Sequence, residues 1–361
     1  MRAAGQPVID FSIAISHLPA PQPVRDAVRA ALGDDTTLPY TSVVGAHDIR
    51  ASVCAKLARE NGIDAHIDEV IVTNGAKQAL YEAMYALTDP GERVIVFRPH
   101  WPAYVATSQL LGLDIDLVDL PDELTAGFMA ALAPARLIIL NNPHNPTGKV
   151  FTRRELEHVR DWAEACGAAV IVDESYELMC FGGEHVSLAR LCDWRKLGVV
   201  TIFSTSQSYA MMGWRVGFAV APASVIDAMQ VLQGPVTAAA PALSQLAMQA
   251  ALAGGTMDGM LDDYRARRDL AVAMFATRPW IVMAPPDSGP YLWGDIRALT
   301  VDTVSFAEAL FDQAGVAIMP GDALGVAGFI RLGYISDNVA TLVDGIERIL
   351  AFGDAYGQGM R

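Results

Sequence analysis

Short apolar runs that alternate with longer amphipathic stretches constrain the fold of this chain more than any other feature. The runs are rich in β-branched residues, are bounded by turn residues, and comprise EVIVT (69–73), RVIVF (93–97), RLIILN (136–141), AAVIVD (168–173), GVVTIFS (198–204) and VGFAVA (216–221). Such runs are typical of strands that are buried on both faces. Between them, residues 76–88 and 153–166 carry apolar side chains three and four positions apart, as helices do. The pattern predicts an α/β fold with a mostly parallel sheet covered by helices.

The pattern changes after about residue 235. Long helical stretches follow at 241–254 and 260–276, and residues 280–361 return to short strands and two helical stretches. A chain of 361 residues is long enough for one large domain or two coupled ones. We therefore expect a large domain over 36–275 and a small α+β domain built from both termini, 1–35 and 276–361.

Composition excludes several kinds of partner. Asp and Glu number 41 against 26 Lys and Arg, a formal charge of −15, which is opposite in sign to the surface of a general nucleic-acid binder. No apolar run approaches the roughly 18 residues that a bilayer span needs, and the first residues lack the pattern of a signal peptide. The four cysteines have no metal-ligand spacing. We expect a cytoplasmic protein that binds no nucleic acid, no membrane and no metal.

Polar segments stand where the predicted strands end, which is where an α/β sheet places its ligands. The chain contains no GxxxxGK[ST], no GxGxxG after a strand and no HExxH, so the usual nucleotide and zinc-protease interpretations have no support. The segments present are NGAK (74–77), RPHWPAY (98–104), NNPHNPTG (141–148), DESY (173–176), STSQSYAMMGWR (204–215) and IRLGY (330–334).

Together, these segments resemble the fold-type I pyridoxal-phosphate (PLP) enzymes, specifically the class I/II aminotransferases of the aspartate aminotransferase kind. The resemblance runs from YTSVVGAHDIR (40–50) to Arg331, nearly the whole chain. It implies the PLP-dependent transferase fold of type I and a cofactor that is PLP or pyridoxamine phosphate. It also implies a small α-amino acid or 2-oxo acid as substrate, and a homodimer.

The ring of the cofactor would be held by residues from three segments. Asp173 matches the carboxylate that keeps the pyridine nitrogen protonated, so that the ring can act as an electron sink; taken alone, it could equally cap a helix. Asn145 and Tyr176 match the residues that hydrogen-bond the phenolic oxygen, and Asn145 also lies beside the substrate in this comparison. Trp101 matches an aromatic ring stacked on the pyridine, where the alternative is a core aromatic.

The phosphate would lie where Gly75, Ala76 and Lys77 open a helix, because free N–H groups and the helix dipole favour an anion there. Ser204 and Arg215 match the hydroxyl and guanidinium that also bind phosphate, and the fork of an arginine binds two oxygens at once. The alternative for Arg215 is a surface ion pair. Tyr40 matches a tyrosine that relatives donate to the phosphate of the partner subunit.

Substrate contacts would come from both ends of the chain. Arg331 matches the arginine that binds the α-carboxylate of the substrate through a bidentate pair. Where relatives carry a Gly-Glu-Pro run near that carboxylate, this chain has Ala14, Ile15 and Ser16. The substitution at Ala14 indicates a reshaped substrate entrance.

One departure decides the chemistry. In the family, the residue eight positions before the arginine of GWR is the lysine that forms the Schiff base with the cofactor and then moves the proton. Here that position is Gln207, and a carboxamide has no nucleophilic amine and cannot act as a general base. The other lysines are no obvious replacement: Lys77 is at the phosphate end and Lys149 follows the NPTG turn, while Lys56 and Lys196 are expected far from the motifs.

Three interpretations of Gln207 follow. The chain could be a Lys-to-Gln variant made to trap a substrate–cofactor intermediate. It could be a natural enzyme that works without the lysine, as a lyase, a dehydratase or a slow transferase, with His100 or His144 as the base because histidine titrates near neutral pH. It could be a binding protein that kept the pocket and lost turnover.

Overall fold

The computed structural model describes residues 8–33, 38–254 and 259–359. Its strands are β1 (Ile9–Asp10), β2 (Val70–Thr73), β3 (Arg93–Arg98), β4 (Asp114–Asp119), β5 (Leu137–Asn141), β6 (Ala169–Asp173), β7 (Val199–Ser204), β8 (Gly217–Val220), β9 (Val282–Met283), β10 (Tyr291–Asp295), β11 (Val316–Ala317), β12 (Met319–Pro320) and β13 (Phe329–Gly333). Its α-helices are α1 (Gln22–Ala31), α2 (His47–Lys56), α3 (Ala76–Leu87), α4 (Pro102–Leu110), α5 (Ala126–Ala131), α6 (Arg153–Cys166), α7 (Trp194–Leu197), α8 (Thr205–Ser208), α9 (Ala223–Thr237), α10 (Ala242–Leu252), α11 (Met260–Phe275), α12 (Thr303–Ala314) and α13 (Val339–Gly359). Within these ranges, no helix is both long enough and apolar enough to cross a membrane.

The large sheet has seven strands in the order β2-β8-β7-β6-β5-β3-β4. Strands β3 to β7 run parallel, and β8 runs antiparallel to both of its neighbours, β7 and β2. All six strands predicted from apolar runs are confirmed, and the sheet is mostly parallel as expected. Because β8 alone is reversed, the carboxyl ends of the other six strands lie along one edge.

Strand β4 was not predicted, for a reason that its position explains. It pairs only with β3 at the edge of the sheet, and its side chains are half-buried or exposed. Charged residues such as Asp114 and Asp119 therefore face solvent, and the strand lacks the continuous apolar run of its buried neighbours.

The sheet is buried on both faces by helices. On one face, α3, α4 and α9 cover residues such as Ile71, Val94 and Ile171. On the other, α2, α6 and α10 cover residues such as Val72 and Val170. Helix α6 matches its predicted limits, 153–166: Thr152 and Glu155 form a capping box at its start, and Gly167, with φ of 68°, ends it in the left-handed region.

Small sheets and a separate apolar cluster lie beside the large one. Strand β1 pairs with β11, and β12, β13, β10 and β9 form a four-stranded antiparallel sheet. Their cluster joins residues near the amino end, such as Phe11, with residues of β10, β13, α12 and α13. This cluster therefore contains residues from near both ends of the described chain.

Helices α1 and α11 do not pack with the parts of the chain to which the predicted domain boundaries assign them. Val24 of α1 is buried in the cluster of the large sheet, where α1 lies against α10. Tyr264 and Phe275 of α11 belong to the cluster of the small sheets. The packing thus places α1 with the large core and α11 with the small one, the reverse of the predicted assignment. The boundary near 35/36 lies outside the described residues, and the division into two domains stays a prediction.

Candidate active site

The carboxyl edge of the large sheet opens into a cavity of about 210 Å³. Strands β5, β6 and β7 end there at Asn141, Asp173 and Ser204. The cavity is lined by Ala76, Lys77, Trp101, Tyr104, Asn141, Asn145, Asp173, Ser175, Tyr176, Ser204, Ser206, Gln207, Arg215 and Tyr291. Nine of the residues predicted from the sequence therefore meet in one place: Ala76, Lys77, Trp101, Asn145, Asp173, Tyr176, Ser204, Gln207 and Arg215.

Asp173 presents a buried carboxylate at the end of β6. Its Oδ1 accepts hydrogen bonds from Ser175 Oγ at 2.5 Å and from Ser175 N at 3.1 Å, and its Oδ2 accepts one from Tyr104 Oη at 2.8 Å. Burial raises the pKa of Asp173 above its ordinary value, and these hydrogen bonds act against that rise. The helix-cap alternative is not seen, because residues 175–178 form a turn. The carboxylate is thus held in one orientation at the cavity wall.

Asn145, Tyr176 and Trp101 complete the walls around Asp173. Asn145 Nδ2 donates to the Tyr176 hydroxyl at 3.3 Å. Because the hydroxyl oxygen accepts this hydrogen bond, its own hydrogen points away from Asn145. Trp101 is half-buried at the start of α4 and lines the cavity, which separates it from a simple core aromatic. Its ring meets Tyr104 edge-on, with 5.5 Å between the ring centroids.

Two cationic side chains, Lys77 and Arg215, form the cationic end of the cavity. Lys77 lies in the first turn of α3, a helix of 12 residues whose amino end has no side-chain cap, and its Nζ lies 5.2 Å from the centre of the Trp101 ring. Arg215 donates to two backbone carbonyls, those of Met212 at 3.0 Å and Asn74 at 3.4 Å. No salt bridge joins Arg215 to a carboxylate in the described ranges, so the surface ion-pair alternative finds no partner there. Free N–H groups, two cations and the Ser204 hydroxyl favour an anion.

Gly75 fits this end because the Arg215 guanidinium lies where a side chain at position 75 would begin. Its φ is +79°, and a Cβ there would lie 2.7 Å from Arg215 Nη2. Gly217 is equally tight, since its Cβ would lie 2.9 Å from Ala76 N. The backbone of residues 75–76 therefore approaches the arginine closely, as a cradle for a small anion requires.

Gln207 lies in α8 and also lines the cavity. Its Nε2 donates to the carbonyl oxygen of Ala14 at 3.2 Å, while its Oε1 is buried without a hydrogen-bond partner. Ala14, predicted at the substrate entrance, is not among the lining residues, but its backbone carbonyl contacts Gln207, which is.

Arg331 lies just behind the cavity wall. It is only 4% exposed, donates to Asn145 Oδ1 at 3.1 Å and to Ser12 O at 2.8 Å, and its guanidinium lies 4.0 Å from the centre of the Tyr291 ring. Its Nε has no partner, and no carboxylate pairs with it in the described ranges. A buried cation without a counter-ion is costly and is stabilised by an anion.

The four lysines all lie in the described ranges, and Lys77 is the one that lines the cavity. The expectation that Lys56 lies far from the motifs was wrong. Its buried Nζ contacts Glu177, next to the DESY segment, and Asn61 at 2.7 Å. Lys149 pairs with Glu155 at 2.7 Å, and Lys196 is exposed in α7. Lys56 and Lys149 thus have their amines committed elsewhere.

The structure does not support either predicted histidine base. His100 and His144 line a small separate cavity with Tyr104 and Asn141, and neither lines the main one. Burial lowers the pKa of His144 to about 3 and also lowers the pKa of His100. Nδ1 of His144 lies 2.8 Å from the Thr147 hydroxyl, and Nδ1 of His100 lies 3.2 Å from the Trp101 carbonyl. Both are neutral, buried side chains.

Some lining residues were missed by sequence reasoning. Tyr104 and Ser175, which bind Asp173, stand inside the RPHWPAY and DESY segments, so the segments were found but these members were not singled out. Tyr104 follows Trp101 by three positions, the spacing of one helical turn, and that signal could have found it. Tyr291 comes from the small sheet and carries no local signal.

Fold and cavity together define an α/β protein with a candidate site for an anionic ligand at the carboxyl edge of its large sheet. Residues 6–347 match the family described as "Aminotransferase class I and II". The chain belongs to this family, whose enzymes depend on pyridoxal phosphate, and it has the type I fold.

Relatives and solved structures of this family match nearly the whole chain. The chain is 32% identical to an aspartate aminotransferase of Streptomyces avermitilis, over 97% of this chain and 90% of the relative. It is 30% identical to an aspartate/prephenate aminotransferase of Thermus thermophilus, over 97% and 93%. The structure of the Thermus thermophilus aspartate aminotransferase with maleate superimposes with a TM-score of 0.90 at 29% identity, covering 97% of this chain and 93% of that one.

The charged and polar residues at the cavity fit the phosphate and the protonated ring nitrogen of pyridoxal phosphate, but Gln207 offers no amine for covalent attachment. Because Gly75 has no side chain, the Arg215 guanidinium lies against the amino end of α3, and with Lys77 it offers two cations to a phosphate. Asp173 offers a buried carboxylate for a protonated ring nitrogen. Apart from Lys77, which lies beside the Trp101 ring, no lining residue is a lysine that could form a Schiff base.

Proposed function

We propose that this chain is an aminotransferase-family protein that binds an α-amino acid or its 2-oxo acid next to a cofactor held without a covalent bond, because Gln207 stands at the Schiff-base position. The engineered and the natural interpretation of Gln207 both stay predictions, as does a cytoplasmic location.

Arg331 is the observation that carries the substrate class. It is a buried cation with no carboxylate partner in the described ranges, and it touches Asn145, which lines the cavity. A carboxylate that entered the cavity beside Asn145 would supply the missing counter-ion through two parallel hydrogen bonds. A small carboxylic acid is the ligand that best satisfies this arrangement.

The other side chains have separable tasks. Asp173 would hold a proton on the ring nitrogen, with Tyr104 and Ser175 fixing its orientation. Lys77, Ser204 and Arg215, with Gly75 and Ala76, would bind the phosphate; Trp101 would cover one face of the ring, and Asn145 and Tyr176 would bind its phenolic oxygen. When bound, the cofactor supplies an electron sink for negative charge at the substrate Cα.

A second candidate is a binding protein without turnover. The observation that favours it is the position of the bases: His100 and His144 line another cavity, and Lys56 and Lys149 are engaged in ion pairs. Proton transfer at Cα would then lack a base of suitable pKa.

We also propose that the chain is a homodimer in which Tyr40 reaches the phosphate of the partner subunit. Tyr40 is 96% exposed and does not line the cavity of its own chain. It lies in a groove of about 500 Å³ whose walls are Leu38, Pro39 and residues 237–243, mostly apolar. An exposed aromatic beside an apolar groove is typical of a surface that another chain covers.

The proposed function is tested by titrating the protein without bound cofactor with PLP, and then with a panel of α-amino acids and 2-oxo acids. Gln207→Lys is compared with this chain, and Gln109→Lys, a lysine added on an exposed position of α4, is the matched control. Absorbance reports binding, and mass after borohydride reduction reports a covalent bond to lysine.

We expect saturable PLP binding by all three proteins, and a covalent bond and repeated turnover only in Gln207→Lys. Binding without turnover in every protein favours the second candidate. Turnover by this chain that the lysine does not increase would favour the lysine-independent interpretation. Absence of PLP binding in all three contradicts the proposed function.

A further inference from the structure

We propose that the cavity prefers the amine form of the cofactor, pyridoxamine 5′-phosphate, to the aldehyde form, PLP, and that Gln207 is the residue that sets this preference. The proposal rests on the proposed function, because it assumes that a cofactor of this class enters the cavity. It concerns which form the cavity retains.

The amide of Gln207 has one allowed orientation. Its Nε2 lies 3.2 Å from the carbonyl oxygen of Ala14, and only the NH₂ group can donate there. Exchanging the two amide atoms would place Oε1 against another acceptor, two oxygens with no hydrogen between them. The Ala14 carbonyl therefore determines which end of the amide is committed.

The Ala14 carbonyl is itself held in place by β13 and the segment that follows it. Gly333 N donates to Phe11 O at 2.7 Å, and Ile15 N donates to the Ser336 hydroxyl at 3.1 Å. The approach is so close that a Cβ on Gly333 would lie 2.9 Å from Ala14 Cα. The segment cannot turn its carbonyl away to free the amide.

This arrangement leaves Gln207 Oε1 as an unpaired acceptor. The oxygen is buried and has no hydrogen-bond partner, although its side chain lines the cavity. A buried carbonyl without a donor is unfavourable, and a ligand group that donates a hydrogen bond removes that cost. An amine or ammonium group brings such donors, whereas an aldehyde oxygen is a further acceptor.

The aldehyde also loses its usual advantage here. PLP is normally retained through a bond to a lysine amine, and Lys77, the one lysine lining the cavity, lies by the Trp101 ring at the cationic end. Both forms therefore compete through noncovalent contacts alone. Phosphate and ring contacts are common to both, so the group at the 4-position decides between them.

The test is calorimetric titration of the apoprotein with pyridoxamine 5′-phosphate, PLP and 4-deoxypyridoxine 5′-phosphate, each alone, in a buffer free of primary amines. The deoxy compound lacks both groups and gives the affinity of ring and phosphate. We expect the amine form to bind about tenfold more tightly than the other two. Equal binding of the two natural forms, or tighter binding of PLP, would overturn the inference.

Two variants connect the preference to Gln207. Gln207→Met keeps the length of the side chain without the amide, and the advantage of the amine form should fall to within about threefold. Gln207→Lys should reverse the order in favour of PLP. Thermal unfolding of each variant shows whether it is folded. An undiminished amine preference in Gln207→Met would contradict the role of Gln207.

The outcomes separate this inference from the function on which it rests. If all three compounds fail to bind, the proposed function is wrong and this inference falls with it. If they bind with the order reversed or levelled, the proposed function stands and only this inference is wrong.

Discussion

The hydroxyl of Tyr104 donates a 2.8 Å hydrogen bond to Oδ2 of Asp173, and both side chains are buried. Burial, with the negative charge of Asp173 beside it, raises the pKa of Tyr104 well above its ordinary value, so the phenol stays protonated and donating. Ser175 donates to the other oxygen of the same carboxylate. The pair joins the first turn of α4 to the end of β6.

Replacing Tyr104 by Phe should weaken cofactor binding about tenfold at neutral pH, because the buried carboxylate loses one donor. The pKa of Asp173, already raised by burial, should rise further. The ionised carboxylate is the form that binds a protonated ring, so binding is lost as pH falls through that pKa. The acid limb of an affinity–pH profile should therefore move to higher pH. Tyr85→Phe, an exposed tyrosine of α3, should leave the profile unchanged.

Replacing Gly75 by Ala should disrupt the phosphate end selectively. The added Cβ would meet Arg215 Nη2 at 2.7 Å, and a φ of +79° is strained for alanine. Affinity for pyridoxamine 5′-phosphate should fall by about tenfold or more, while affinity for pyridoxamine, which lacks the phosphate, should hardly change. Gly127→Ala is the matched control, since nothing lies within 4 Å of a Cβ there. Equal losses for both ligands would contradict the cradle.

Replacing Arg331 by Met should separate substrate binding from stability. The affinity of the cofactor-loaded protein for an α-amino acid should fall about 100-fold, as expected when one partner of a buried charge pair is removed. The unfolding free energy should stay equal or rise by about 1 kcal/mol, because an uncompensated buried cation is removed. The control is Arg348→Met, whose guanidinium pairs with Asp344 in α13. Unchanged amino acid affinity in Arg331→Met would refute the role of Arg331.

The sequence alone was sufficient to predict the buried strands and the edge of the sheet where the candidate site lies. Buried parallel strands need continuous apolar runs, and their polar ends follow in the chain, so Asp173 and Ser204 could be located by position. Strand β4 could not be predicted, because an edge strand with exposed acids satisfies neither rule.

Contacts between segments that are distant in the chain could not be predicted from local sequence patterns. The hydrogen bond between Arg331 and Asn145 joins residues 186 positions apart, and the ion pair of Lys56 with Glu177 joins residues 121 apart. The sequence shows directly that position 207 is glutamine and not lysine. The hydrogen bond from Gln207 to Ala14, which sets the orientation of the amide, could not be predicted, because it depends on how the amino end packs against β13.

The last prediction concerns Glu82, a buried carboxyl group of α3. It is 1% exposed; its Oε1 accepts a hydrogen bond from Gln78 at 2.7 Å, and its Oε2 has no partner. Burial raises the pKa of Glu82 to about 7. The protonated form is thus favoured in the folded protein, whereas the unfolded chain ionises near pH 4.5.

The sign of the pH dependence follows from this difference. Because the folded-state pKa is the higher one, the stabilising contribution of the protonated group is complete below about pH 4.5 and is lost as pH rises through about 7. Glu82→Gln cannot ionise and should not lose stability in this way. Between pH 5 and pH 8, its unfolding free energy relative to the original protein should therefore rise by about 1–3 kcal/mol. Denaturant titrations at several pH values measure this difference, with the exposed Glu164→Gln as control. A difference that stays constant across the range would mean that Glu82 is ionised in the folded protein despite its burial.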